Sequence, residues 1–287
     1  SHSNMPSYPQ WEATVLEATY DQVDFISLHM YFENDEKNTA EYLALPEKLD
    51  RYIGTVSGVI DYIKSKSRSK RDVKISFDEW NVWYHEREND AKRMAEWDWP
   101  HAPALLEDIY NFEDVLQVGC ILNTFIRRSD VVRIACIAQL VNVIAPIMTE
   151  PGGDAWRQTI FYPFKFASAF GRGTALQLDV DVPSYDADVA ANISYLDIAG
   201  VHDGDAGTVT FFAINRNGEE SMEVDLSLER FGAAKSVEHT LIRHDDLEAR
   251  NTKENKNNVV PVKGDGATLA DGGLSLSLPP YSYSVIR

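Results

Sequence analysis

Hydrophobic spacing along the chain changes near residue 170. Before that point, apolar runs of strand length alternate with stretches of helical spacing. Residues 23–32 (VDFISLHMYF) are mostly apolar and predict a strand. Within 47–66, Leu49, Tyr52, Ile53, Val56, Val59, Ile60 and Ile63 recur three and four apart, marking one face of a helix. A basic turn over 64–71 leads into a second strand, 73–83, where Val73, Ile75 and Phe77 alternate with Lys74 and Ser76. Residues 84–107 are polar and rich in Trp; a connection this long predicts a functional loop. Val115, Val118, Ile121, Leu122, Phe125 and Ile126 predict a helix with Asn111 as its N-cap. Residues 131–138 read as a third, buried strand. Residues 156–170 read as a helix that stops before Gly171 and Gly173. Strands and helices in alternation imply a parallel sheet or barrel with right-handed crossovers.

From Thr174 the period falls to two. Met222, Val224, Leu226 and Leu228 alternate with polar residues, as do Leu274, Leu276 and Leu278. Residues 192–201 and 208–214 read as further strands, and Asn217-Gly218 is a hairpin signal. Residues 249–273 are polar and rich in Asn and Gly, predicting a long surface loop. Short strands with turn signals predict an antiparallel β-sandwich. The expected fold is therefore α/β plus all-β, with one domain over 1–173 and a second over 174–287. No internal repeat is evident.

Composition narrows the functional classes. The 287 residues are 44% hydrophobic and 25% charged, a globular balance. A formal net charge of −18 repels phosphate backbones and anionic lipid, which argues against nucleic-acid and membrane partners and leaves a neutral substrate unaffected. No apolar run is long enough to cross a bilayer. Residues 1–6 (SHSNMP) lack the basic and apolar regions of a signal peptide. Cys120 and Cys136 both sit in apolar runs and read as buried free thiols of a reducing compartment. Together these features predict a cytoplasmic protein.

The candidate chemistry sits at strand ends. Residues 73–85 (VKISFDEWNVWYH) run from an alternating strand into Asp78 and Glu79, set among Trp80, Trp83, Tyr84 and His85. Carboxylates at a strand end beside aromatic rings suit sugar chemistry. Rings pack on the sugar while a carboxylate attacks or stabilises the anomeric carbon. A core strand with an amphipathic end is the bland alternative. Strand alternation would turn Asp78 away from Glu79 and make it structural. Two further strand ends carry polar groups: Ser27, His29 and Tyr31 on the first, Gln139 and Asn142 beyond the third. Neighbouring parallel strands would bring all three ends together, as in (β/α)8 barrels. Taken singly, His29 could be a satisfied core histidine and Gln139 a backbone partner.

With these motifs in order, the chain closely resembles the family 51 glycoside hydrolases, which are retaining α-L-arabinofuranosidases. The resemblance rests on residues 20–31 (YDQVDFISLHMY), 76–85 (SFDEWNVWYH) and 135–147 (ACIAQLVNVIAPI). It continues through 159–164 (TIFYPF), 244–247 (HDDL) and 283–286 (YSVI) and covers essentially the whole chain. It implies a (β/α)8 barrel followed by a β-sandwich. It implies Glu79 as the nucleophile, Tyr31 and Gln139 in contact with the arabinose, Trp83 packed on the sugar, and His29 close to the catalytic carboxylates. The substrates implied are terminal arabinofuranosyl units of arabinan, arabinoxylan or their oligosaccharides. Neither metal nor organic cofactor is implied, and the assembly expected is a homo-oligomer, often a hexamer.

One departure matters. The family's acid/base Glu follows an Asn on the fourth barrel strand, and no Asn-Glu here is placed to serve; Asn217-Gly218-Glu219 falls in the wrong domain. Three barrel strands are predicted, near 24–31, 74–80 and 132–138, against the eight of a closed barrel. The chain is therefore expected to be the C-terminal portion of the enzyme, completed by an N-terminal part in the same or a separate chain. Alternatives are a carbohydrate-binding fragment without catalysis, or a retaining glycosidase of the same clan acting on another sugar.

Overall fold

The computed structural model describes residues 2–287 except 97, 102, 233 and 271. Helix α1 (Gln10–Thr19) leads to strand β1 (Phe25–Phe32), then to helices α2 (Thr39–Ala44) and α3 (Pro46–Ser67). Helix α3 has Pro46 at its first turn, Lys64 and Lys66 in its last, and Arg68 closing it in the left-handed conformation (φ 54°). These features suit the helix dipole and its termini. Its buried face is the one the spacing marks, from Leu49 to Ile63, with Val59 at the margin. Strand β2 (Lys74–Val82), helices α4 (Arg87–Ala95) and α5 (Phe112–Arg127) and strand β3 (Val132–Ile137) follow. Strands β1, β2 and β3 form one parallel sheet in that order.

Helix α5 organises the molecule. Asn111 caps it: its side chain accepts from Asp114 N–H at 3.0 Å, and the Asp114 carboxylate accepts from Asn111 N–H at 2.9 Å. Nearly every residue from Phe112 to Phe125 is buried, as befits a helix enclosed on all sides. One side packs Phe125 against Phe77 and Trp80 of β2, with ring centroids 5.1 and 5.3 Å apart. The other side meets antiparallel strands through Gly119, where an added Cβ would lie 2.8 Å from the Tyr283 ring.

After β3 come a hairpin of β4 (Ile147–Thr149) and β5 (Ala155–Arg157), then helix α6 (Phe161–Phe170). The remaining strands are β6 (Thr174–Leu176), β7 (Ser184–Ala187), β8 (Ala190–Ser194), β9 (Leu196–Asp203), β10 (Thr208–Asn215), β11 (Met222–Ser227), β12 (His239–Ile242), β13 (Val262–Lys263), β14 (Thr268–Ala270), β15 (Gly273–Leu278) and β16 (Ser282–Ile286). A six-stranded sheet, ordered β13-β12-β16-β10-β9-β6, faces a three-stranded one, β11-β15-β14. Leu196, Ile198, Phe211 and Ala213 of the first pack with Val224, Leu274, Leu276 and Leu278 of the second, forming a sandwich. The opposite face of the larger sheet, with Val201, Phe212, Ile214, Tyr283 and Val285, joins the core around α5. Asp197 links the two layers, held by Arg127 at 3.0 Å and Asn123 at 2.7 Å, with Arg216 at 3.9 Å.

Several local expectations are corrected. The 84–107 connection contains helix α4. The helix expected from 156 starts at Phe161, because 155–157 pairs as β5. Residues 192–201 are split at Tyr195 into β8 and β9. Asn217-Gly218 is not a hairpin turn: β10 and β11 belong to different sheets, and this turn carries the chain between them. Its glycine is required by a close approach, since a Cβ on Gly218 would lie 2.3 Å from the Tyr281 ring. The 249–273 loop is partly interior, with Asn251 buried and holding both the N–H and the carbonyl of Val259. Strand β3 is the sheet's outer strand, so Arg133, Ile134 and Cys136 are exposed and only Cys120 is a buried thiol.

Candidate active site

Alternation on β1 sorts its side chains. Ile26, Leu28, Met30 and Phe32 are buried in the core, while Ser27, His29 and Tyr31 occupy the other, half-open face. Strand β2 breaks its own alternation there. Ser27 pairs with Ser76 and His29 with Glu79, so two steps on β1 match three on β2. On the other side, Phe77 pairs with Ala135 and Trp80 with Ile137, again three steps against two. This bulge re-aims the strand. Asp78, expected on the opposite face, shares the face of Glu79.

The two carboxylates flank one imidazole. His29 Nε2 lies 3.0 Å from Asp78 Oδ1, and His29 Nδ1 lies 3.4 Å from Glu79 Oε2. The Tyr31 hydroxyl donates to Glu79 Oε1 at 2.8 Å. Asp78 also accepts from Ser27 Oγ at 2.7 Å and from Ser76 Oγ at 2.9 Å. Burial disfavours the charge of Asp78, but the hydrogen bonds from Ser27, Ser76 and His29 outweigh it and hold its carboxyl below the usual range. Burial, and then the hydrogen bond to Glu79, push the Tyr31 phenol well above its ordinary value, so it remains a donor. His29 is thus neither a core residue nor isolated. His2 forms a backbone bridge to it.

Trp83 begins the loop beyond β2. Its ring meets Tyr31 edge-on, with centroids 5.4 Å apart, and Arg87 lies 5.3 Å from it while bonding Glu33 at 2.5 Å. Trp80 points the other way, into the core against Phe125 and Phe164. Tyr84 and His85 form the floor of the loop. Asp108 accepts from the backbone N–H groups of Tyr84, His85 and Glu86, and His85 Nε2 lies 2.7 Å from Asp114 Oδ2. Burial opposes the charge on His85, but Asp114 overrides it and raises the imidazole above its ordinary value.

Gln139 follows β3. Asn81 of β2 fixes its loop by donating to the carbonyls of Ala138 at 2.7 Å and Ile144 at 2.5 Å. The Gln139 side chain is exposed and makes no hydrogen bond among the described residues, so it is not serving as a backbone partner. The structure therefore brings His29, Tyr31, Glu79 and Trp83 together and sets Gln139 at the adjoining strand end. Sequence reasoning missed Asn81, Ser76 and the orientation of Asp78. Register against two neighbouring strands decides these, and no single-strand pattern carries it.

Chemically, the site offers a carboxylate, Glu79, whose side chain is 43% exposed and whose oxygens are both approached by polar partners. Asp78 does not suit the proton-donating role beside such a carboxylate, because a carboxyl held below its usual range is ionised near neutrality and carries no proton to give. Among the described residues, no three His, Cys, Asp or Glu side chains are grouped to hold a metal ion.

The chain belongs to the family described as the alpha-L-arabinofuranosidase C-terminal domain, which matches residues 78–282. Over its whole length it is 46% identical to the intracellular exo-alpha-(1->5)-L-arabinofuranosidase 1 of Bacillus subtilis and 45% identical to the intracellular exo-alpha-(1->5)-L-arabinofuranosidase of Halalkalibacterium halodurans. It covers 56% of each, so it spans about half the length of these relatives. Among solved structures, it matches a family 51 alpha-L-arabinofuranosidase of Bifidobacterium longum with a TM-score of 0.91 and 32% identity, over 99% of this chain and 57% of the other.

Proposed function

We propose that this chain is the nucleophile-bearing part of a retaining, exo-acting α-L-arabinofuranosidase. In this reading residues 1–173 supply the last strands of a (β/α)8 barrel and residues 174–287 the sandwich beside it. A carboxyl in the N-terminal part of the enzyme serves as acid/base. The observation that carries the reading is Glu79 itself. It is an accessible carboxylate on the polar face of a parallel sheet, bonded by Tyr31, whose ring meets Trp83, in a chain of this family.

Glu79 attacks the anomeric carbon of a terminal arabinofuranosyl unit. The bond to the leaving oxygen breaks as that oxygen takes a proton from the acid/base, leaving an arabinosyl ester on Glu79. Water, deprotonated by the same acid/base, then attacks the anomeric carbon, freeing arabinose and the carboxylate. Two inversions retain the configuration. Tyr31 steadies Glu79, Gln139 binds a sugar hydroxyl, and Trp83 packs on the ring. The relatives' names, intracellular exo-alpha-(1->5)-L-arabinofuranosidases, favour α-(1->5)-linked arabinofuranosyl units as substrate and an intracellular location.

The test is Glu79→Ala in the full-length protein with an aryl α-L-arabinofuranoside. The expected result is loss of kcat by several orders of magnitude with an unchanged fold. Near-normal turnover would reject the assignment.

A further inference from the structure

The bulge in β2 places Asp78 where alternation would not, and there it makes three hydrogen bonds. One comes from its own strand (Ser76) and two from its neighbour (Ser27 and His29). We propose that Asp78 is a positioning residue: it fixes the His29 ring so that Nδ1 stays directed at Glu79 Oε2, and thereby holds the nucleophile in its attacking orientation. The proposal rests on the reading of Glu79 as the nucleophile.

The geometry supports each link. Asp78 is tied at both oxygens, Oδ1 by Ser27 and His29 and Oδ2 by Ser76, so it forms a rigid cross-strand anchor. An imidazole that donates from Nε2 to Asp78 has its plane restricted by that bond, and in its protonated form it also donates from Nδ1 toward Glu79 Oε2. Glu79 is then approached at both oxygens, by Tyr31 at Oε1 and by His29 at Oε2. A glutamate side chain otherwise rotates about three bonds, and a reacting atom misplaced by about 1 Å can lose roughly 100-fold in rate. The carboxylates facing His29 are Asp78 and Glu79 on β2; from the N-terminal segment it is faced by His2, itself near Lys48. The hydrogen bonds from Ser27, Ser76 and His29 also hold the Asp78 carboxyl below its ordinary value, which favours its ionised form.

A mutant cycle tests this in the full-length protein. Asp78→Asn keeps the shape and removes the charge. It is expected to lower kcat roughly 100-fold with little change in KM or melting temperature. In a His29→Ala background the same substitution is expected to cost nothing further, because the two residues act as one unit. Ser27→Ala provides a second, gentler entry to the cycle and should show a smaller loss that likewise vanishes without His29. Losses that multiply independently of His29, or an Asp78→Asn protein with undiminished kcat, would overturn the proposal. Glu79→Ala in the same series keeps the two readings apart. If it abolishes turnover while the Asp78 and His29 losses multiply, only the positioning role fails; if it is active, the nucleophile assignment itself fails.

Discussion

Tyr31 donates its phenolic hydrogen to Glu79 Oε1 across 2.8 Å, from one parallel strand to the next. Their strands are in register so that His29 pairs with Glu79 and Tyr31 with Asn81, which lets the tyrosine reach back to the carboxylate. Tyr31→Phe removes this donor and leaves the ring against Trp83. The expected outcome is a loss of kcat/KM of roughly 10- to 100-fold, corresponding to about 1.5–3 kcal/mol for a hydrogen bond to a charged group. The melting temperature should hardly move, because the pair is half-exposed. Steady-state kinetics and thermal melts check both, and a large fall in melting temperature with normal kinetics would make Tyr31 a structural residue.

Gln139 leads to a sharper separation of binding from stability. Its side chain is exposed and unbonded among the described residues, so Gln139→Ala removes no internal contact. If it binds a sugar hydroxyl, kcat/KM falls while the melting temperature stays constant. Asn81→Ala gives a different pattern. It strips the carbonyls of Ala138 and Ile144 of a buried donor, costing about 1–3 kcal/mol of stability as well as activity.

The interlayer pair gives a prediction about pH. Burial alone would raise the Asp197 carboxyl, but Arg127 and Arg216 more than offset it and hold it below its ordinary value. A carboxyl depressed on folding contributes stability above its unfolded value of about 3.9, and loses that contribution as pH falls toward the folded value. Asp197→Ala removes the buried carboxylate that faces Arg127 and Arg216 and should destabilise the protein by about 3–5 kcal/mol near neutrality. Melting curves taken from pH 7 downward should show the gap between wild type and variant narrowing in acid. A gap constant with pH would contradict the ionic account.

These residues also show what the sequence carried. Helix α5 was legible because an N-cap residue, Asn111, precedes apolar positions at helical spacing. Tyr31 and Glu79 were legible because strand ends with polar and aromatic residues stand out from apolar runs. Strand β10 gave no two-residue period, since Phe211 and Ala213 face one core while Phe212 and Ile214 face another. Helix α4 was hidden because it buries only Asp90 and so shows no apolar stripe. Asp78 was misplaced for a tertiary reason: a bulge depends on the registers of two neighbouring strands, and alternation within one strand is silent about both.

The central claim, that Glu79 is the nucleophile, is tested most directly by the configuration of a rescued product. The full-length Glu79→Ala protein is given an aryl α-L-arabinofuranoside and azide, and the sugar product is examined by NMR. With the nucleophile gone, azide entering the vacated space attacks the anomeric carbon from the face opposite the leaving group. The account predicts restored turnover and a β-L-arabinofuranosyl azide, the product of a single inversion. An azide of retained α configuration would place Glu79 in the acid/base role, and undiminished hydrolysis without azide would remove it from the chemistry altogether.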